Sequence, residues 1–441
     1  MPMTPAREPQ EAAVDDVGQE HARLRALFGS AVGSAVEWYD YFLYGTMAIL
    51  VFGPLFFPNS DPVASQMLAL ASFALAFLIR PIGGVVFAHI GDRIGRKKTL
   101  VMTLTLMGGT TVAIGLMPTY AQIGSAAPIV LTILRMLQGL ALGGEWGGGL
   151  LMAVEYAPAQ RRGLYGAVPQ TGALFGLALG NFAASTANAM LTEEQFLSYG
   201  WRIPFLASIV LVGIGLWIRG AVGETPSFKR IVATKKTARV PLFTTIQFHW
   251  KAVLVTIGAK FIETSTFFLF ATFTVSYAVS IGYSRGQALN AILMASLIGI
   301  PVMLGVGAVS DRIGRKKIFV VGTLLAMLYV IPFFWLLNQG SLVLLAVSTA
   351  VGFGLIWPMY GAVLGTFFAE SYPANVRYTG VSLGYQVGAA IAGGPVPLIA
   401  TALLVAYKNN YVPIGLMIMG FGLISLLAVA IAKDRSGQPL D

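Results

Sequence analysis

Long apolar segments follow one another along almost the whole chain, and they restrict the fold more than any other feature of the sequence. A helix needs about 20 apolar residues to cross the roughly 30 Å of hydrocarbon in a bilayer. Because no water is present there to satisfy the backbone, segments of this length are expected to be α-helices. We predict an all-α membrane protein with twelve spans, at roughly residues 27–52, 67–90, 99–118, 127–154, 164–190, 202–221, 251–280, 288–309, 317–337, 342–369, 378–406 and 411–432.

The composition excludes several other classes of protein. Charged residues make up 11% of the chain, whereas a soluble domain carries roughly 25%. The net charge of +10 lies in short clusters between the apolar segments, without aromatic interleaving, so nucleic acid is not an expected partner. The chain has no cysteine, and His21, His89 and His249 lack the spacing of metal ligands. We therefore expect no metal, no cofactor and no enzymatic chemistry.

Basic clusters follow the even-numbered spans and predict how the chain is oriented. Cytoplasmic loops of membrane proteins carry an excess of Lys and Arg. The opposite loops contain Asp61, Glu193 and Glu194, with Arg285 and Lys408 as their clear bases. The clustered loops and both termini are therefore expected in the cytoplasm. The clusters are Arg93/Arg96/Lys97/Lys98, Arg161/Arg162, Lys229/Arg230/Lys235/Lys236/Arg239 and Arg312/Arg315/Lys316/Lys317.

Two motifs occur twice and divide the chain into related halves. Gly91-Asp-Arg-Ile-Gly-Arg-Lys-Lys98 follows the second span, and Ser310-Asp-Arg-Ile-Gly-Arg-Lys-Lys317 follows the eighth. Glu155-Tyr-Ala-Pro158 and Glu370-Ser-Tyr-Pro373 follow the fourth and tenth spans. Transporters built from repeats bind their substrate near mid-membrane, between the repeats. We predict a disordered cytoplasmic tail, a six-helix bundle, a cytoplasmic linker, a second six-helix bundle and a cytoplasmic tail, at residues 1–26, 27–221, 222–248, 249–433 and 434–441.

These segments resemble a known family. The repeated Asp-Arg-x-Gly-Arg-Lys-Lys loop resembles the signature of the major facilitator superfamily, and the resemblance covers about residues 27–433. The second copy has Gly307 before Asp311, as the family pattern requires, whereas the first copy has Ala88. Other segments resemble the metabolite:proton symporter branch, whose members carry shikimate, 2-oxoglutarate, citrate and other small carboxylates, or proline and betaine. They are Gly33-Ser-Ala-Val-Glu-Trp-Tyr-Asp40, Arg80-Pro81, Arg135-Met-Leu-Gln-Gly139, Gly143-Gly-Glu-Trp-Gly-Gly148, Gly200-Trp-Arg202 and Glu224-Thr-Pro226.

The resemblance implies a gating role for the repeated loops. In the superfamily, contacts of these loops hold the cytoplasmic face shut in the outward-open state. Topology alone explains the bases in the loops but not the repeated Asp. The implied gating residues are Asp92, Arg93, Arg96, Asp311, Arg312 and Arg315.

Charged side chains inside the predicted spans are the functional candidates, because an ion at the bilayer centre costs at least about 2.5 kcal/mol. Four acids stand against three bases, which leaves one acid in excess. Glu145 lies in a glycine-rich stretch and is expected to serve gating or packing. The seven are Glu37, Asp40, Glu145, Glu263, Arg80, Arg135 and Lys260.

A carboxylate whose Arg partner moves away during transport would change from ionised to protonated, and this would couple transport to protons. Asp40 resembles the first-span Asp of proton-coupled sugar porters, and Arg135 resembles its fourth-span partner. We predict that Asp40 carries the proton, with Glu37 as the second candidate. The alternative for both is a permanent ion pair that joins helices.

Arg135 and Lys260 come from different halves and are predicted to hold a small carboxylate between them, since Arg binds carboxylates bidentately. Lys260 alternatively only neutralises Glu263, and Arg80 is expected to be structural, paired with a first-span acid. The other predicted substrate contacts are Gln138, Gln170, Tyr385 and Gln386.

The predicted function is import of a small metabolite, first of all a carboxylate, by proton symport through alternating access, with one chain as the functional unit in the inner membrane. An osmolyte symporter is the main alternative, although the short tail after the last span lacks the heptads of osmosensing relatives. A passive facilitator and a drug antiporter are further alternatives. Residues 168–172 do not show the fifth-span Gly-Pro of drug antiporters, and no catalytic constellation supports an enzyme.

Overall fold

The computed structural model describes residues 9–58, 62–234 and 241–440. Most of these residues are helical, and none of them belongs to a β-strand. Some predicted features lie outside the described residues, namely residues 1–8 of the tail, Asp61, and the linker bases Lys235, Lys236 and Arg239.

Twelve long helices, here α1 to α12, follow the predicted spans within the described ranges. The first six are α1 (Pro9–Met47), α2 (Pro62–Ile94), α3 (Arg96–Leu116), α4 (Ala126–Tyr156), α5 (Arg162–Met190) and α6 (Arg202–Ala221). The second six are α7 (Pro241–Ser280), α8 (Arg285–Ile313), α9 (Arg315–Leu337), α10 (Leu342–Glu370), α11 (Arg377–Ala406) and α12 (Val412–Ala430). Short π-helical segments continue α1 and interrupt α7 and α10, at Ala48–Phe52, Leu269–Phe273 and Ala350–Ile356.

Ten of these helices are both long and apolar enough to cross a membrane, α2 from Leu75 onwards. The other two, α1 and α5, have 39 and 29 residues. Glu37 and Asp40 lie in α1, and Gln170 lies in α5. The predicted architecture of twelve membrane helices in two six-helix halves is confirmed.

The structure differs from the prediction at the tail and the linker. α1 already begins at Pro9, within the segment predicted to be a disordered tail, and this stretch contains good helix formers such as Ala, Glu, Arg and Leu. The linker contains a short helix, Pro226–Ala233, whose first turn is capped by the Thr225 hydroxyl. Residues 241–248, which were predicted to be linker, belong to α7, and α7 kinks at His249, where φ is −125°.

Glycines bring α2 and α4 into backbone contact, and this contact fixes the position of Arg80. A Cβ at Gly83 would lie 1.9 Å from the carbonyl oxygen of Leu140, and one at Gly143 would lie 2.2 Å from that of Arg80. Small residues permit such close approach of membrane helices. Replacing either glycine would push the two helices apart.

The two halves meet along matching helices. α2 packs on α11, and α5 packs on α8, so that each half contributes the equivalent pair. Aromatic side chains fill the mid-membrane part of this interface. Trp38 lies 5.0 Å from Phe267, and Phe77 lies 5.6 Å from Phe268, between ring centroids. The residues around these rings form the candidate site.

Candidate functional site

Asp40 lies at the centre of a hydrogen-bonded cluster between α1, α3 and α4. Its side chain is buried, and both of its oxygens are satisfied. The Thr111 hydroxyl donates to Oδ1 at 2.6 Å, and the Gln138 amide donates to Oδ2 at 2.7 Å. The guanidinium of Arg135 lies 3.8 Å from Oδ2. The predicted pairing of Asp40 with Arg135 is thus present in the geometry.

Arg135 binds within the same cluster. Its Nη1 donates to Gln138 Oε1 at 2.6 Å, and its Cζ lies 3.7 Å from the centre of the Tyr44 ring. Such cation–π contacts stabilise a desolvated guanidinium by about 2 kcal/mol. The predicted substrate contacts Arg135 and Gln138 therefore both bind Asp40, and they belong to a different cluster from Lys260.

Lys260 lies in the interface between the halves. It forms an ion pair with Glu263, one turn further along α7. Its ammonium group also lies 3.5 Å from the centre of the Tyr385 ring, which stacks on Trp146 with a centroid separation of 3.5 Å. The indole N–H of Trp146 donates to Gln170 at 3.0 Å. The structure thus brings together three predicted contacts, Lys260, Tyr385 and Gln170, from both halves.

Gln386 lies beside this group on α11. Its amide N–H donates to the carbonyl of Gly143 on α4 at 3.0 Å, so it joins the two halves. Its Oε1 is buried and has no hydrogen-bond partner. An unpaired buried acceptor of this kind is expected to bind a ligand group or water.

Glu37 and Arg80 are both buried, with 2% and 4% of their surface exposed. Neither forms an ion pair within 4.0 Å to any described residue. Glu37 Oε2 and Arg80 Nε lack hydrogen-bond partners. The Arg80 guanidinium instead lies over the rings of Phe77 and Tyr41, at 4.5 and 5.2 Å. We expected Arg80 to pair with a first-span acid, and no such pair exists among the described residues.

Arg219 is a site residue that the sequence analysis missed. Its guanidinium forms an ion pair with Glu145, and Nη1 donates to Glu145 Oε2 at 3.0 Å. The Thr103 hydroxyl donates to the same oxygen at 2.6 Å. Arg219 adds a fourth buried base to the three that were set against the four in-span acids, so the predicted excess of one acid is wrong.

The position of Arg219 explains why it was missed. It lies in the last turn of α6, where a base is expected to face the cytoplasm. Helical side chains, however, tilt towards the N terminus of their helix. For Arg219 this direction leads back into the membrane, towards Glu145 on α4. The tilt is the signal that would have identified the pair.

Two equivalent contact groups, which we call the cytoplasmic latches, join the halves at the ends of the helices. In the first latch, Asp92 of α2 accepts hydrogen bonds from the backbone N–H and the hydroxyl of Thr379, at 3.0 and 2.8 Å. In the second, Asp311 of α8 accepts from the backbone N–H groups of Gly163 and Leu164, at 2.8 and 3.1 Å. Each carboxylate thus caps the N terminus of a helix in the other half, where the helix dipole favours it.

The repeated Glu residues extend both latches. Arg96 lies 3.3 Å from Asp92 and 3.6 Å from Glu155, and Glu155 in turn lies 3.2 Å from Arg377. In the second latch, Arg315 lies 2.8 Å from Asp311 and 3.4 Å from Glu370, which lies 4.0 Å from Arg162. Glu155 and Glu370 are visible in the sequence as a repeat, but no role was predicted for them.

Two of the implied gating residues take no part in these contacts. Arg93 and Arg312 are both exposed, and neither forms an ion pair with a described residue. They point away from the interface because each follows its Asp by one residue, about 100° around the helix. In this conformation the latches consist of Asp92, Arg96, Asp311 and Arg315 with their partners.

Comparison with known proteins agrees with this architecture. Residues 31–397 match the family model described as Major Facilitator Superfamily. The inner membrane metabolite transport protein YhjE of Escherichia coli is 40% identical, over 95% of this chain and 96% of its own. The Escherichia coli shikimate transporter is 37% identical, over 93% and 94%. The proline/betaine transporter of Salmonella typhimurium is 32% identical, over 94% and 84%.

A solved structure shares the fold. The proton:xylose symporter XylE, bound to 6-bromo-6-deoxy-D-glucose, superposes with a TM-score of 0.78 over 96% of this chain and 98% of its own, at 17% identity. At this identity the likeness concerns the fold. The chain belongs to the major facilitator superfamily, and it is a multi-pass inner-membrane transporter.

Proposed function

We propose that this transporter imports a small carboxylate together with protons. The observation that carries the proposal is the group of charges at the half interface. Lys260 of the second half and Arg80 of the first supply positive charge, and Glu37 supplies a buried carboxylate with an unsatisfied oxygen. Arg and Lys bind a carboxylate through charge-assisted hydrogen bonds, and a buried acid of this kind can bind a proton.

The latches support alternating access as the mechanism. Both lie at the side where the basic clusters predict cytoplasm, and both are closed here. Access from the cytoplasm then requires both capping carboxylates to leave their helix ends. The same basic clusters favour a cytoplasmic position for both termini. One chain contains both halves of the site, which supports the monomer as the functional unit.

Osmolyte symport is the second candidate. The Lys260–Glu263 ion pair offers a base and an acid to a zwitterion, and the proline/betaine transporter of Salmonella typhimurium is a relative. We favour the carboxylate because Arg80 is not engaged by an acid, whereas a zwitterion would need no additional base.

Uptake into proteoliposomes tests the proposal. Labelled shikimate, 2-oxoglutarate, citrate, proline and glycine betaine are offered with and without an inwardly directed proton gradient. We expect accumulation of a carboxylate that depends on the gradient. Uptake that only equilibrates would indicate a facilitator, and accumulation of proline or betaine alone would favour osmolyte symport. Efflux driven by inward proton flow would indicate an antiporter.

A further inference from the structure

Two carboxylates of α1, three residues apart, have very different surroundings. Asp40 accepts hydrogen bonds from Thr111 and Gln138 and lies beside Arg135. These hydrogen bonds and the nearby guanidinium would be disrupted if Asp40 were protonated. Glu37 is equally buried, but its Oε2 has no hydrogen-bond partner. Of the two, Glu37 is free to change its protonation state without loss of existing contacts.

Charged and titratable groups face Glu37 from several helices. Most of these charges are already compensated. Arg219 is paired with Glu145, and Lys260 is paired with Glu263. Arg80 forms no ion pair with a described residue. The groups are Arg80 from α2, Glu145 from α4, Arg219 from α6, Lys260 from α7 and Tyr385 from α11.

Arg80 is placed where a ligand in the half interface would meet it. One turn further along α2, a Cβ at Gly84 would lie 3.0 Å from Gln386 of α11, so this face of α2 contacts the second half. The aromatic neighbours of Arg80 also reach across, since Phe77 contacts Phe268 of α7. The guanidinium thus lies at the interface, whereas Arg135 lies inside the Asp40 cluster.

We propose that Arg80 binds the carboxylate of the substrate and that Glu37 binds the transported proton. This inference rests on the proposed function and replaces Asp40 and Arg135, the residues predicted from the sequence, in the two roles. Asp40 and Arg135 then form a permanent ion pair that joins α1 to α4.

The two binding events are linked through charge. Arg80 is buried and forms no ion pair with a described residue, so without substrate its positive charge is free to attract the Glu37 carboxylate. When a substrate carboxylate binds Arg80, it neutralises this positive charge, and Glu37 takes up one proton. The net charge of the site stays the same in the empty and loaded states. Release of the substrate restores the effect of Arg80, and the proton leaves.

This balance fixes the stoichiometry. One proton accompanies one carboxylate, so transport of a monocarboxylate moves no net charge across the membrane. The membrane potential should therefore have no effect on shikimate uptake. In proteoliposomes this potential can be established by a potassium gradient with valinomycin. Stimulation of shikimate uptake by an inside-negative potential would require more than one proton and would overturn the proposal.

Proton uptake on binding separates Glu37 from Asp40. Purified transporter in weakly buffered detergent solution is mixed with shikimate, and a pH indicator records the protons taken up. We expect about one proton per bound shikimate for the wild type and for Glu37→Asp, and none for Glu37→Gln, although Glu37→Gln still binds. The exposed Glu194→Gln serves as the matched control and should behave like the wild type. Normal proton uptake by Glu37→Gln would refute the role of Glu37.

Arg80 variants test the other half of the proposal. Arg80→Gln should lose at least tenfold in affinity for shikimate, about 1.4 kcal/mol. The affinity of this variant for uncharged shikimate methyl ester, which is weak in both proteins, should stay within twofold of the wild-type value. Arg80→Lys keeps the charge and should recover part of the affinity. An equal loss for acid and ester would show that Arg80 only supports the fold.

The outcomes distinguish this inference from the proposed function. If the wild type accumulates no carboxylate of the panel in a proton gradient, the proposed function fails and this inference fails with it. If the wild type accumulates shikimate, and Glu37→Gln does so equally well, only this inference fails. If proton uptake is lost in Asp40→Asn but kept in Glu37→Gln, the proton belongs to Asp40.

Discussion

The cytoplasmic face and the membrane centre make different use of the internal repeat. At the cytoplasmic face, Asp92 and Asp311 make equivalent contacts. Asp92 of the first half caps a helix of the second half, and Asp311 of the second half caps a helix of the first. At the membrane centre, the first half contributes the Asp40 cluster with Glu37 and Arg80, and the second half contributes Lys260 and Glu263. Equivalent contacts suit a motion in which the halves rock against each other, and unequal charges suit recognition of one asymmetric substrate.

The largest effect is expected where a buried ion pair is broken. Asp40→Asn leaves Arg135 buried without its acid, and removal of one partner from a buried pair costs roughly 3–5 kcal/mol. We expect a clearly lowered melting temperature in detergent, with proton-coupled uptake kept in the folded fraction. At the membrane centre, the Asp40–Arg135 pair would then be structural, whereas Glu37 and Arg80 would serve transport. Lost coupling at an unchanged melting temperature would instead assign the proton to Asp40.

The next largest effect is expected at the two cytoplasmic latches, and it tests whether the two are equivalent. Asp92→Asn and Asp311→Asn each weaken charge-assisted hydrogen bonds to the opposite half, worth roughly 1.5–3 kcal/mol apiece. We expect turnover to fall about tenfold in both variants, because the inward-closed state is destabilised, with substrate affinity changed less than twofold. Transport kinetics and equilibrium binding measure the two quantities. A strong effect of one Asp and none of the other would break the equivalence of the halves.

Opening of the latches can also be followed directly. The chain contains no cysteine, so a single introduced thiol can be labelled without background from other thiols. Ser382 of α11 is buried in the interface near Gly147 of α4. In a Ser382→Cys background, both Asn variants should increase labelling by a membrane-impermeant maleimide from the cytoplasmic side. Unchanged labelling would mean that the latches do not control this side.

Lys260 is expected to have a smaller effect than either latch. Lys260→Gln removes one of the two bases proposed to attract the substrate carboxylate, and it leaves Glu263 without its partner. We expect apparent affinity for a carboxylate to fall by about tenfold, or 1.4 kcal/mol, with maximal uptake kept. Glu263→Gln is the matched control, since it breaks the same ion pair but keeps the base. Equal losses in both variants would indicate that the pair itself, and not the lysine, is needed.

The sequence predicted what depends on composition and repetition. The apolar segments located the membrane helices because span length is set by bilayer thickness, and the repeated Asp located both latches. It predicted the Asp40–Arg135 pair but not the complete set of charge pairs. Arg219 was missed because its side chain runs back along α6 to reach Glu145, and Arg135 was assigned to the substrate although Asp40 and Tyr44 enclose it. Pairing depends on helix rotation and on contacts between residues far apart in the chain.

The smallest effect is expected at Arg93 and Arg312, and it separates the latch contacts from the remainder of the repeated motif. The family resemblance assigns both residues to gating, whereas the structure leaves both exposed and without an ion pair among the described residues. Exposed charges contribute little to stability, typically under about 1 kcal/mol. Arg93→Gln and Arg312→Gln should therefore keep turnover within twofold of the wild type, while Arg96→Gln, one turn of the helix from Asp92, should lower it strongly. Transport kinetics of the three variants in the same proteoliposomes give the comparison. If Arg93→Gln were as impaired as Arg96→Gln, these exposed bases would have to contact the other half in a conformation that differs from the latched one.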